Sequence, residues 1–305
     1  MSSTEDIFSI ENLELNLRKA RCLCSIIGYD NIIKQAQLNQ ENLGIIARAF
    51  GISNNPYQSY LESLFKNIND YQITYPNPTR KLKEDLLNPD KDDSTLTEIE
   101  VTAKLAPFFK ITPEECPISE SKSNLDLLIE DKNTGEKALI EIATSFYDFE
   151  SHANPDGEAH TGFLGGKGGQ GYKINNALDR KLGRQLNSFR KEVEIGNTPL
   201  KYPLIILFKN DSPLGMGDFD KHHIYAGLYE NFSIKDHDEK IVYRQTGFYH
   251  KENIEFISKI GVYTLQFDEK YSTIGRFYEP IKTPQRKMSS EFERKLENIL
   301  FDSIT

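Results

Sequence analysis

The stretch NLDLLIEDKNTGEKALIEIATS, residues 124–145, constrains this chain more than any other part of it. It reads as two short apolar strands joined by KNTGE, in which Asn133-Thr134-Gly135 is good turn chemistry. Around Glu141 the neighbours Leu139, Ile140 and Ile142 are all apolar, so the second strand is expected to be buried on both faces. PLIILF, residues 203–208, is another run of nearly continuous hydrophobicity, and GVYTLQFD, 261–268, is a further strand. Strands buried on both faces need a layer above and a layer below. The predicted order of helix, hairpin, helix, strand and more strand is therefore α/β around a mixed sheet.

Ahead of this region, residues 5–88 read as helical. ENLELNLRKARCLCSII is expected as one helix ended by Gly28, and a second covers about 30–39. ENLGIIARAFGISNNPYQSYLESLF is expected as two short helices around a turn at Gly51-Ile52-Ser53, and PTRKLKEDLL as one more. LNPDKDDS, 87–94, is polar and carries a proline, which suggests an N-terminal helical domain over 1–90 and a second domain over 91–305. STLTEIEVTAKLAPFF follows as a helix, and FERKLENILF closes the chain as an amphipathic one.

Several classes of protein are disfavoured. No apolar run approaches the roughly 20 residues of a membrane helix. MSSTEDIFSIENLEL lacks the basic region and apolar stretch of a secretory signal. The three cysteines include a CxC pair and offer neither a disulfide framework nor a zinc site. The expectation is a cytoplasmic protein without a membrane partner. The adjacent His222–His223 is expected on the surface or in a loop. Net charge is −9, yet between His160 and Lys191 seven cations face only Asp179, so a polyanion has a place to bind.

Two carboxylates stand out against the apolar hairpin, Asp126 on the first strand and Glu141 on the second. On neighbouring antiparallel strands such residues approach within a few ångströms. A carboxylate in a buried strand needs a partner or a metal. Two together suit a hard divalent cation such as Mg²⁺ or Mn²⁺, which activates water for attack on a phosphodiester. The plain alternative is a hairpin that turns its acids to solvent.

Over residues 94–210 the sequence resembles the PD-(D/E)xK nucleases, the restriction-endonuclease-like superfamily. The resemblance lies in the order: a helix with Glu98 or Glu100 in TEIEVTAKL, a strand with Asp126 in NLDLLI, a strand with Glu141 in LIEIATS, then a basic helix and a buried strand. It implies a restriction-endonuclease-like mixed β-sheet core flanked by helices, with the N-terminal all-α region appended. It also implies a metal-dependent DNA endonuclease in restriction or anti-phage defence, acting as a dimer or with a partner protein. By the same resemblance Asp126 and Glu141 ligate the metal and Glu98 or Glu100 assists. The lysine of the motif falls at Ala143. Three readings stay open: a lysine from the following helix, Lys173 or Lys181 with Gln185 as a polar companion; an alanine introduced in place of lysine; or an inactive nuclease fold that binds nucleic acid or serves a larger defence complex.

The flanking segments add candidates for nucleic-acid contact. GFLGGKGGQG fails the Walker spacing and is expected as a loop rimming the site, with Lys167 free for phosphate. YKINNALDRKLGRQLNSFRKEV is expected as one long helix. Its core stripe is Ile174, Ala177, Leu178, Leu182, Leu186 and Phe189, and Lys173, Arg180, Lys181 and Arg184 cover the remaining surface. GIIARAFGISNNPYQSYLESL resembles a helix-turn-helix, though its second helix offers only Lys66 as a cation.

Overall fold

The computed structural model describes residues 8–38, 43–53, 55–71, 80–89, 91–113, 124–144, 167–210, 221–230, 232–235, 241–267 and 271–301. They divide into two compact units. One holds residues 1–113 with 130–134 and 267–271; the other holds 114–129, 135–266 and 272–305. Among the described residues no helix is long and apolar enough to cross a membrane.

Among the described residues of the first unit are seven helices: α1 (Ile10–Leu17), α2 (Arg21–Ile27), α3 (Tyr29–Leu38), α4 (Ile45–Gly51), α5 (Tyr57–Asp70), α6 (Arg80–Leu86) and α7 (Asp92–Leu105). Their apolar stripes share one core that includes Leu13, Leu23, Phe50, Phe65, Leu96 and Ile99. The single helix expected over 11–27 is two. Glu62 of α5 accepts hydrogen bonds from the N–H groups of Cys22 and Leu23 at 2.8 and 3.1 Å, and so caps a new helix start. The suggested boundary at 87–94 lies inside this unit: Asp92 is buried and accepts the N–H of Ile45 at the start of α4, and α7 contributes Leu96 and Ile99 to the helical core.

The α4–α5 pair has the tight turn of the expected helical hairpin, tied by the Gln58 amide to the carbonyls of Ala49 and Ile52. Its second helix spends its charges internally. Glu62 caps α2, and Lys66 pairs with Asp70 one turn on.

A six-stranded sheet runs in the order β1-β2-β3-β4-β7-β8. Its strands are β1 (Phe109–Pro113), β2 (Leu127–Asp131), β3 (Lys137–Thr144), β4 (Leu204–Lys209), β7 (Ile257–Phe267) and β8 (Tyr271–Tyr278). A separate ribbon pairs β5 (Phe232–Lys235) with β6 (Ile241–Gln245). The β2–β3 connection is too short for a crossover, so these strands are antiparallel, whereas β3, β4 and β7 are mutually parallel. The sheet is thus mixed, as expected, and β3 is buried along Ala138–Ala143.

Helices α8 (Lys167–Gly183), α9 (Asn187–Glu194) and α10 (Lys221–Tyr229) belong to this second unit. Leu139 and Ala143 of β3, Ile206 and Phe208 of β4, and Ile260 and Val262 of β7 share one apolar cluster with Ile174, Leu178 and Leu182 of α8. Helix α11 (Ser290–Leu300) leads to Phe301, whose ring lies 6.2 Å from Tyr263 and 5.3 Å from Phe277. Ser289 caps α11 through the N–H of Phe292, and Glu136 of the β2–β3 turn in turn holds Ser289.

Three local expectations are corrected here. The glycine-rich segment becomes helical at Lys167, five residues before Tyr172. Three glycines in that turn cost helix propensity, but extending a helix already packed at Ile174 adds a hydrogen bond per residue. The long basic helix is two helices: it closes after Gly183 with Leu186 N–H donating to Lys181 O, and α9 begins at Asn187. His222–His223 lies on helix α10 rather than in a loop.

Gly275 on β8 marks a close approach. A Cβ there would sit 2.6 Å from both Phe301 and the Tyr263 Cβ, and 2.8 Å from the Val262 carbonyl oxygen. Backbone cannot step aside as a side-chain tip can, so Gly275→Ala is expected to cost about 3 kcal/mol in urea unfolding. A loss below about 0.5 kcal/mol would show that this packing is looser than described.

Candidate active site

Helix α8 sets the geometry. Ile174, Ala177, Leu178 and Leu182 are buried against the sheet. Lys181 stands three residues after Leu178 and four after Ala177, so it projects from the same stripe. Its ammonium reaches the centre of β3, where Nζ lies 2.6 Å from Oε1 of Glu141. The sequence left two placements open for Lys181, the outer surface of the helix and the neighbourhood of the acids, and the side chain turns inward to Glu141. The Lys181 side chain is one-fifth exposed, and that of Glu141 is fully buried between Leu139 and Ala143.

Asp126 lies one residue before β2, at a bend, rather than on the strand. Its Oδ2 accepts the N–H of Ile142 at 2.6 Å, which fixes the carboxylate beside the neighbour of Glu141. The two acids feel each other. Burial first, and the Asp126 charge second, push the Glu141 carboxyl up to about 7, while Lys181 and the Asp126 backbone N–H pull against that rise.

The other Glu141 oxygen, Oε2, is buried with no partner in hydrogen-bond geometry among the described residues. A buried carboxylate oxygen lacking a donor is costly unless a cation serves it. Two oxygen-donor acids with one such oxygen fit Mg²⁺ or Mn²⁺, which take carboxylates, waters and substrate phosphate. Among the described residues no three His, Cys, Asp or Glu side chains gather closely enough to hold a metal. Among the described residues the protein side of the site is a pair of acids and one lysine.

The remaining candidates fall in different places. Ala143 is buried two residues after Glu141 in the α8-facing cluster, leaving no cation at the usual strand position. Glu98, half-buried, and Glu100, buried, ride on α7 of the helical unit. Gln185 is exposed in the α8–α9 turn, away from the inner stripe that carries Lys181. Arg180 and Arg184 are exposed at the end of α8 and just beyond it. Lys167 and Lys173 lie on the α8 backbone, and their side chains lie outside the described residues, as does the glycine-rich segment before Lys167.

Two supports of α8 escaped the sequence reading. Asn175 is fully buried, and its amide donates to the carbonyls of Gly227 and Thr246 at 3.0 and 2.8 Å. One turn on, Asp179 pairs with Lys251 at 2.7 Å. A polar residue beside Ile174 in an apolar stripe was the available signal for Asn175. Nothing local marks Lys251.

No family model matches the chain, and no curated protein matches it. Among solved structures it is similar to that of Pyrococcus furiosus SfsA in complex with Ca²⁺, at 15% identity and a TM-score of 0.24. The match covers 62% of this chain and 63% of that one, under two thirds of either. A likeness this loose carries no argument about activity. The class defined by the coordinates themselves is a mixed α/β protein with a six-stranded sheet flanked by helices.

Proposed function

We propose that this chain is a metal-dependent nuclease that hydrolyses DNA phosphodiesters through Asp126, Glu141 and Lys181. The observation that carries the reading is the 2.6 Å contact between Lys181 and Glu141, which brings a lysine from α8 to a strand whose own position 143 is alanine. Asp126 and Glu141 would hold the ion. A bound divalent cation supplies Lewis acidity to the phosphodiester and acidifies the attacking water.

The chain's own groups do the rest. Lys181 donates to Oε1 and keeps that oxygen fixed, so that Oε2 remains for a cation. The ammonium also places a positive charge where phosphate oxygens gain charge in the transition state. The Ile142 N–H holds Asp126 in one rotamer, a pre-organised acid rather than a wandering one. Arg180 and Arg184, exposed and near Lys181 in sequence, are suited to the flanking phosphates.

A second reading is favoured by the small donor set: with two acids grouped among the described residues, the fold would bind DNA without cutting it. Supercoiled plasmid incubated with the full chain and Mn²⁺ or Mg²⁺ separates the two. The nuclease reading expects nicking that EDTA abolishes and that Asp126→Asn or Glu141→Gln lowers by at least about a hundredfold. DNA binding with no cleavage in either ion sinks it and leaves the second.

A further inference from the structure

We infer that Tyr225, backed by Tyr229 in an aromatic cluster that also carries Arg276 over Tyr278, is a stacking platform for an unpaired base of single-stranded DNA held by this unit. The choice of ligand rests on the nuclease reading; the surface itself does not. Tyr225 and Tyr229 are one helical turn apart on α10, and their rings stack at 4.5 Å with an interplanar angle of 29°. One face of Tyr225 is thereby covered, yet half of the residue remains exposed.

The backing is rigid. The Tyr229 hydroxyl donates to the Glu279 carbonyl at 2.6 Å, and the Tyr229 ring lies 5.1 Å from that of Tyr249. Tyr249 is buried, and its hydroxyl donates to the Tyr278 carbonyl at 2.8 Å. A ring held this firmly loses little conformational freedom when a base lands on its neighbour.

Charge completes the match. The Arg276 guanidinium lies 5.4 Å from the Tyr278 ring, which is 6.4 Å from Tyr229. Arg276 is exposed and forms no ion pair among the described residues. The nearby Glu279 carboxylate is engaged by Lys259, and Glu230 is exposed one residue after Tyr229. Aromatic faces beside an unpaired guanidinium are how proteins hold single strands without reading sequence. Helix α10 packs on α8, so the platform and Lys181 belong to adjoining helices of one unit.

The test is binding of a short single-stranded oligonucleotide containing 2-aminopurine to the full chain in EDTA, where no cleavage intervenes. The chain has no tryptophan, so the probe's fluorescence is read without indole background. Wild type is expected to quench the probe on binding. Tyr225→Ala should abolish the quench and weaken binding about tenfold, Tyr225→Phe should keep both, and Arg276→Ala should weaken binding and flatten its salt dependence. Duplex DNA should bind Tyr225→Ala as it binds wild type. Equal quenching by wild type and Tyr225→Ala, or no binding by a wild type that circular dichroism shows to be folded, overturns the inference. A Tyr225-dependent quench in a protein that never cuts plasmid sinks the nuclease reading and leaves the platform standing.

Discussion

Lys181→Met is expected to cost about 1.5 kcal/mol more stability at pH 8 than at pH 5.5, measured by urea unfolding in EDTA. The pair is unequal: Glu141 is fully buried, whereas the lysine keeps contact with solvent. Removing the lysine takes away the group that pulls the carboxyl down, so at pH 8 the folded chain must hold a proton on Glu141 that the unfolded chain gives up. At pH 5.5 the carboxyl is protonated with or without the lysine, so the proton-linked part of the loss vanishes. Glu141→Gln added to Lys181→Met should recover most of the loss at pH 8, the signature of a direct coupling. Equal losses at both pH values would mean that Lys181 acts through packing alone. In the plasmid assay the same substitution is expected to lower cleavage by about a thousandfold, since the one cation beside the two acids among the described residues is gone.

Glu141→Gln should change the pH dependence of the metal-free protein. A carboxyl ordinarily near 4.5 that is raised to about 7 on folding holds its proton longer in the folded chain. Its contribution is therefore fully present below about pH 4.5 and lost as pH rises through about 7, a difference of about 3 kcal/mol. Glutamine cannot ionise and keeps a carbonyl oxygen for Lys181, so the variant's stability should be flat over that window and should exceed wild type at pH 8. The proposed divalent ion is expected to reverse the order, because an ion held by Asp126 and Glu141 would stabilise only the chain that has both acids. Thermal melts with and without Mn²⁺ read both effects. A wild-type profile as flat as that of Glu141→Gln would remove the buried, proton-holding carboxyl from the account. No upward shift with Mn²⁺ in wild type would remove the ion.

Much of the site was legible because its signals are local. Acids inside apolar runs mark Asp126 and Glu141, and the period of the following helix brings Lys181 within three and four residues of Leu178 and Ala177. The turn at Asn133-Thr134-Gly135 sets the hairpin, and Gly135 adopts a φ of +73°, where a side chain would be strained. A stripe drawn through the apolar residues alone leaves Lys181 to the outer face. A cation in a core stripe looks like an error until a buried carboxylate is known to wait for it.

Strand character and helix stripes depend on neighbours two to four positions apart, so the amino-acid order by itself determined the buried hairpin, the β4 strand and the apolar face of α8. Other features answer to groups far along the chain. Helix α2 begins where it does because Glu62, forty residues on, accepts the Cys22 N–H. The rotation of α8 is set by Asn175 reaching Gly227 and Thr246, and by Asp179 meeting Lys251. Those contacts form only once the chain has collapsed, because a loop of fifty or seventy residues must close before its ends can bond. Only the tertiary structure could decide that Lys181 faces Glu141.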